Sequence, residues 1–147
     1  MSKPARVLHL AEPPSAYLYR PALVVDCSVL SAALFEEETR DDALRLLTGK
    51  SLHAPSLLDH EIVSVALKKG LMGWPEAAIA LALADYAQQD IDLHRTDAQT
   101  QYQLGLRYRL SAYDAAYLWL AAELKAPLAT FDEKLAVAAR THLASLT

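Results

Sequence analysis

From Ala22 onward, short apolar runs alternate with longer stretches whose apolar residues recur at helical spacing. Ala22–Val25 is uniformly apolar and ends at Asp26, the pattern of a strand buried on both faces. Cys27–Glu37 carries Leu30, Ala33 and Leu34 at helical spacing, and Asp41–Leu47 is a second helical stretch stopped by Gly49. Ser51–Ala54 reads as the next strand, and Pro55 is expected to open a helix that runs to Gly70. An Ala-rich helix over Pro75–Gln88 precedes a third strand, Asp90–Leu93. Asp97–Tyr108 and Ala112–Lys125 read as helices, Leu128–Thr130 as a fourth strand, and Asp132 to about Thr141 as the last helix. Strands that alternate with helices predict an α/β fold, a parallel sheet with helices on both faces. Ligands in such folds bind beyond the carboxyl ends of the strands, and Asp26 and Asp132 fall there. Residues 1–21 form a separate arm in this reading, because Pro4, Pro13, Pro14 and Pro21 break any long helix. Val7–Leu10 is a candidate strand within the arm, and the domain spans 22–147.

Composition narrows the class. The chain has 147 residues, 53% of them hydrophobic and 22% charged, which suits one globular domain. Cys27 is the single cysteine, so no intrachain disulfide can form. There is no run apolar enough for a membrane span and no signal-peptide pattern, so a cytoplasmic setting is expected. The formal charge of −4 counts against a nonspecific polyanion coat. A nuclease remains compatible, because bound cations and a local basic patch can offset acids.

The chemistry lies in four acids. Asp26 ends a strand and precedes Ser28, so it suits either a site or a helix cap. On a helical wheel of Leu57–Ala66, Glu61 falls mid-way along the apolar arc, whereas Asp59 and His60 lie outside it. A carboxylate there is costly unless paired with an Arg, protonated or bound to a cation. Asp114 opens a helix that is apolar nearly all round, on the face of Leu118 and Ala121. It suits a site or the favourable first turn of a helix, where Ser111 is available as the cap. Asp132 follows Leu128-Ala129-Thr130-Phe131 and again suits a site or a cap. Brought together, these acids would repel unless a cation neutralised them, and an all-oxygen donor set suits Mg²⁺ or Mn²⁺.

The order Val24-Val25-Asp26-Cys27-Ser28, Glu61, Ser111-Ala112-Tyr113-Asp114-Ala115-Ala116-Tyr117, then Ala129-Thr130-Phe131-Asp132 resembles the PIN domains, above all VapC-type ribonuclease toxins. The resemblance covers about residues 22–143. It implies a three-layer α/β/α fold with a central parallel sheet. It implies catalytic roles for Asp26, Glu61, Asp114 and Asp132, with Ser28 and Thr130 in support and metal held by Asp26, Asp114 and Asp132. It also implies an RNA substrate, a homodimer, and a small antitoxin whose basic side chain enters the acidic site. Cys27 departs from the more usual small Ala or Thr, and the arm is longer than a typical toxin start.

Arg107, Arg109, Lys68 and Lys69 are candidate RNA-gripping residues, with Tyr108 and Tyr113 as stacking platforms. The same residues also suit a plain solvated surface. His53, His60, His94 and His142 show no metal-ligand spacing, and Cys27 lacks the His motif of a nucleophile. Two other classes stay open. A haloacid-dehalogenase-like phosphatase would need an Asp where Ser28 stands, and a receiver domain would need paired acids and a late Lys. A non-enzymatic module could use the same scaffold to bind RNA or protein.

Overall fold

A computed structural model describes residues 19–146. Strand β1 (Ala22–Val25) is formed from the uniformly apolar run, and Leu23, Val24 and Val25 are all buried. Successive strand residues point to opposite faces, so burial of all three means that both faces of β1 are covered. Helices α1 (Cys27–Leu34) and α2 (Arg40–Leu47) lead to β2 (Ser51–Pro55). Then come α3 (Leu58–Leu71), α4 (Glu76–Gln88), β3 (Ile91–His94), α5 (Ala98–Tyr108), α6 (Ala112–Leu124), β4 (Leu128–Ala129) and α7 (Glu133–Ala144).

The four strands are all parallel in the order β3-β2-β1-β4, flanked by helices. The alternation of apolar runs and helical spacing therefore gives the expected parallel α/β architecture. The chain steps outward from β1 to β2 to β3, then returns to the other side of β1 as β4. This reversal creates a switch point between β1 and β4, where open parallel sheets place ligands beyond the carboxyl ends.

Pro55 departs from its expected role. It closes β2, paired with His94 of β3, and α3 begins only at Leu58. A proline is tolerated there because the next residue takes over the ladder: Ser56 N donates to His94 O at 2.8 Å. The expected strand Val7–Leu10 and most of the arm lie outside the described residues.

Helix α6 is the central support. Its residues from Ala115 to Leu118, with Leu120 and Ala121, are buried, as expected for a helix apolar nearly all round. A smaller cluster of Phe35, Ala66 and Ala82 ties α1, α3 and α4 together under Trp74. No helix among the described residues is long and apolar enough to cross a membrane.

Helix α6 ends on Lys125, whose φ of 50° lies in the left-handed region. A side chain there strains the backbone and glycine does not. Lys125→Gly is expected to stabilise the fold by about 0.5–1 kcal/mol, read as a rise in the urea midpoint at unchanged slope.

Candidate active site

Asp26 leaves the end of β1 directly into α1 and is only 5% exposed. One carboxylate oxygen accepts from Ser28 Oγ at 2.6 Å and from Val29 N at 3.2 Å, so Asp26 caps α1. The other accepts from Thr130 Oγ1 at 2.5 Å. Both hydroxyls also receive a backbone bond from the loop after β4. Phe131 N donates to Ser28 Oγ at 3.0 Å, and Asp132 N donates to Thr130 Oγ1 at 2.9 Å. Asp26 thus stitches the two loops on either side of the switch point. Burial pushes its pKa up, and the bonds from Ser28, Thr130 and Val29 pull partly against that rise.

Glu61 comes from the first turn of α3 and is half-buried, between buried Leu58 and Ile62. Its partner is the Tyr117 hydroxyl of α6, which donates to Oε1 at 2.6 Å. No Arg or Lys among the described residues makes an ion pair with it. Burial raises its pKa first, and the charges of Asp26 and Asp114 raise it further. Asp114 stands in the first turn of α6, where Ser111 Oγ supplies the cap by accepting from Asp114 N at 3.1 Å. The pKa of Asp114 is raised by burial, then by Asp132 and Asp26, with Lys134 partly offsetting them. Asp132 caps α7, one oxygen accepting from Lys134 N at 2.9 Å and Leu135 N at 3.3 Å.

Glu61 therefore feels the charges of Asp26 and Asp114, and Asp114 feels those of Asp132 and Asp26, across elements far apart in sequence. As placed, no three His, Cys, Asp or Glu side chains among the described residues close around a single ion. That is a looser arrangement than a fully protein-built cage. It still suits Mg²⁺, which keeps several waters and takes only one or two carboxylates. The all-oxygen donors and uncompensated negative charge fit such an ion.

The PIN domain model matches residues 23–141. The chain belongs to the PIN-domain family. Ribonuclease VapC9 of Mycobacterium tuberculosis is 34% identical over 121 residues, covering 77% of this chain and 87% of that protein. The crystal structure of PAE2754 from Pyrobaculum aerophilum superposes with a TM-score of 0.65 at 20% identity, covering 84% of this chain and 88% of that one. The sarcin-ricin loop cleaving toxin VapC20 of M. tuberculosis gives 0.58 at 17% identity, covering 79% and 94%. These two structural likenesses speak to the fold.

On this PIN scaffold, the cap readings of Asp26 and Asp132 describe real bonds, and so does placement near other acids. Lys68 lines a cleft of about 510 Å³ together with Glu61 and Tyr113. Lys69 is engaged by the protein itself. Its amine lies 3.7 Å from Glu37 Oε2 and 4.8 Å from the Trp74 ring centre, with the side chain 18% exposed. Arg107 and Arg109 are exposed at the end of α5. Tyr108 is half-buried, its hydroxyl meeting His142 Nδ1 at 3.0 Å and its ring in edge contact with the His142 ring. His53 and His94 pair with each other at 3.0 Å, and His60 is exposed.

Cys27 is held far from nucleophilic form. Burial, Glu61 and Asp26 push its thiol up to about 12. Tyr117 is the site residue that sequence reasoning missed as a functional partner. The one signal was its spacing, three residues after Asp114 on the same helix face.

Glu61 and Asp114 hold their protons more tightly in the folded protein than in the unfolded chain. The sign follows from linkage. Their contribution is most favourable when both are protonated, and it is lost as pH rises from the ordinary carboxylate value through the raised folded one. In EDTA at neutral pH, Asp114→Asn is expected to melt higher than wild type by about 3 °C. The gap should shrink toward pH 3, as followed by circular dichroism.

Proposed function

We propose that this chain is a Mg²⁺- or Mn²⁺-dependent endoribonuclease that hydrolyses RNA phosphodiester bonds, the toxin of a type II toxin–antitoxin pair. The observation that carries this reading is the convergence of acids: Glu61 feels the charges of Asp26 and Asp114, Asp114 feels those of Asp132 and Asp26, and no Lys or Arg among the described residues pairs with Asp26 or Glu61. Buried acids in that state call for a cation. The VapC ribonuclease relatives supply the substrate class, and the antitoxin is the partner that the toxin reading requires.

In this reading Asp26, Asp114 and Asp132 would be the residues that hold the ion. When bound, the ion supplies neutralisation of the phosphate and a more acidic water. Ser28 and Thr130 hold Asp26 in one orientation, which keeps its carboxylate from swinging toward the phosphate. Glu61 accepts the proton of the attacking water at its carboxylate. Its raised pKa brings it nearer neutral pH, where a general base works best. Tyr117 leaves only one Glu61 oxygen engaged among the described residues. Arg107 and Arg109 attract the RNA backbone, Lys68 holds RNA at the Glu61 cleft, and Tyr113, at 60% exposure, offers a stacking face. The antitoxin covers the acidic site with a basic side chain, and the toxin acts as a homodimer in the cytoplasm.

Purified protein is expected to degrade single-stranded RNA with Mg²⁺ or Mn²⁺ and to stop in EDTA. Asp26→Asn should lose on the order of 10²-fold or more in rate. Titration calorimetry with Mn²⁺ should show a site in wild type that Asp114→Ala loses. RNA that survives, with no heat of metal binding, would leave a binding scaffold without catalysis. Light scattering is expected to give twice the chain mass of 16.1 kDa, and a monomeric mass would remove the dimer.

A further inference from the structure

Three side chains of α3, His60, Ser64 and Lys68, are spaced four residues apart, so they form one polar rail along the helix. The rail begins next to Glu61 and runs along the cleft of about 510 Å³ that Glu61 itself lines. The apolar lining comes from Cys27, Leu57 and Val65, and Tyr113 of α6 stands at the same cleft, immediately before Asp114. A volume of this size, mostly apolar with a few hydrogen-bonding groups, matches a small-ligand site.

We infer that this cleft is a subsite for one unpaired nucleobase beside the scissile phosphate, and the inference rests on the nuclease reading above. The base attached to the reacting nucleotide must sit within one nucleotide's reach of Glu61. A base in a duplex is stacked and its edges are paired, so only an unpaired one can enter. Its faces suit the Tyr113 ring and the aliphatic lining. Its edge suits the rail, where Ser64 and His60 can donate or accept but Lys68 can only donate. Lys68 therefore favours a base that presents a carbonyl oxygen. Adenine offers only ring-nitrogen acceptors, and its N6 amino donor flanks N1 and N7 and opposes an ammonium there. Lys69, next in sequence, is committed to Glu37 and Trp74, which leaves Lys68 as the α3 lysine at the cleft.

The test is to digest a random-sequence single-stranded RNA pool and sequence the product ends. Wild type is expected to under-represent adenine at one position next to the cut by about tenfold. Lys68→Met should flatten that bias, and Ser64→Ala should change the preference among the remaining bases. Tyr113→Ala should raise KM more than it lowers kcat. Melting curves confirm that each variant is folded. An unchanged base distribution in both folded α3 variants overturns the subsite, as does equal cleavage of the same sequences within a perfect duplex. If wild type cleaves no RNA, the nuclease reading fails. The cleft is then judged by calorimetry with UMP, GMP and AMP on wild type and Tyr113→Ala. Binding of UMP or GMP at least tenfold tighter than AMP, lost in the variant, supports the cleft as a base site. No binding, or equal binding, overturns it.

Discussion

The buried carboxylate of Asp26 is the constraint on which the rest of the site depends. An ionised acid at 5% exposure is tolerable only when its lone pairs are met. Here they are met by Ser28, Val29 and Thr130. Two of those donors are hydroxyls that accept from Phe131 and Asp132 in turn. The network therefore defines the relative position of the β1–α1 and β4–α7 loops. It lies at the switch point that the strand order creates. Removing any one hydroxyl would leave a buried acceptor short of a donor and loosen two loops at once.

The same construction leaves the acids without full electrostatic compensation. Each carboxylate oxygen that the protein satisfies with a neutral donor keeps its full negative charge in place. Lys134 is the basic group that offsets Asp114, and it does so only in part. A fold optimised for stability alone would neutralise or pair these groups, as it pairs Lys69 with Glu37 on the far side of α3. The contrast separates the two uses of charge in this chain. Lys69 and Glu37 meet as an ion pair, whereas Asp26 and Glu61 meet neutral hydroxyl and amide donors.

Much of this was legible because hydrophobic patterning is a local property. Four apolar runs placed the strands, and the wheel of Leu57–Ala66 put Glu61 toward the interior without any knowledge of its neighbours. Pro55 was misassigned for an equally local reason. A proline suits both the last residue of a strand and the first turn of a helix, and only the pairing with His94 decides between them. The Tyr117–Glu61 bond was illegible because it joins residues 56 apart in the chain. A tyrosine in an apolar helix advertises its ring to a sequence reader, while the need of its hydroxyl for a partner appears only once it is buried. Lys68 and Lys69 were not separated in sequence because adjacent lysines look alike there. On a helix they point about 100° apart, one to the cleft and the other to Trp74.

Helix α6 shows why catalysis and core packing cannot be separated here. Asp114 and Tyr117 sit one turn apart, and the next residue, Leu118, is fully buried against the sheet side of the core. Tyr117 is itself 1% exposed, so its ring is a core residue and its hydroxyl is a site residue. A shift of α6 along its axis would carry Asp114 away from Asp26 and break the bond to Glu61 in the same motion. Close packing resists such shifts. Placing Asp114 and the hydrogen-bond anchor of Glu61 on one buried helix therefore holds two parts of the candidate site in register.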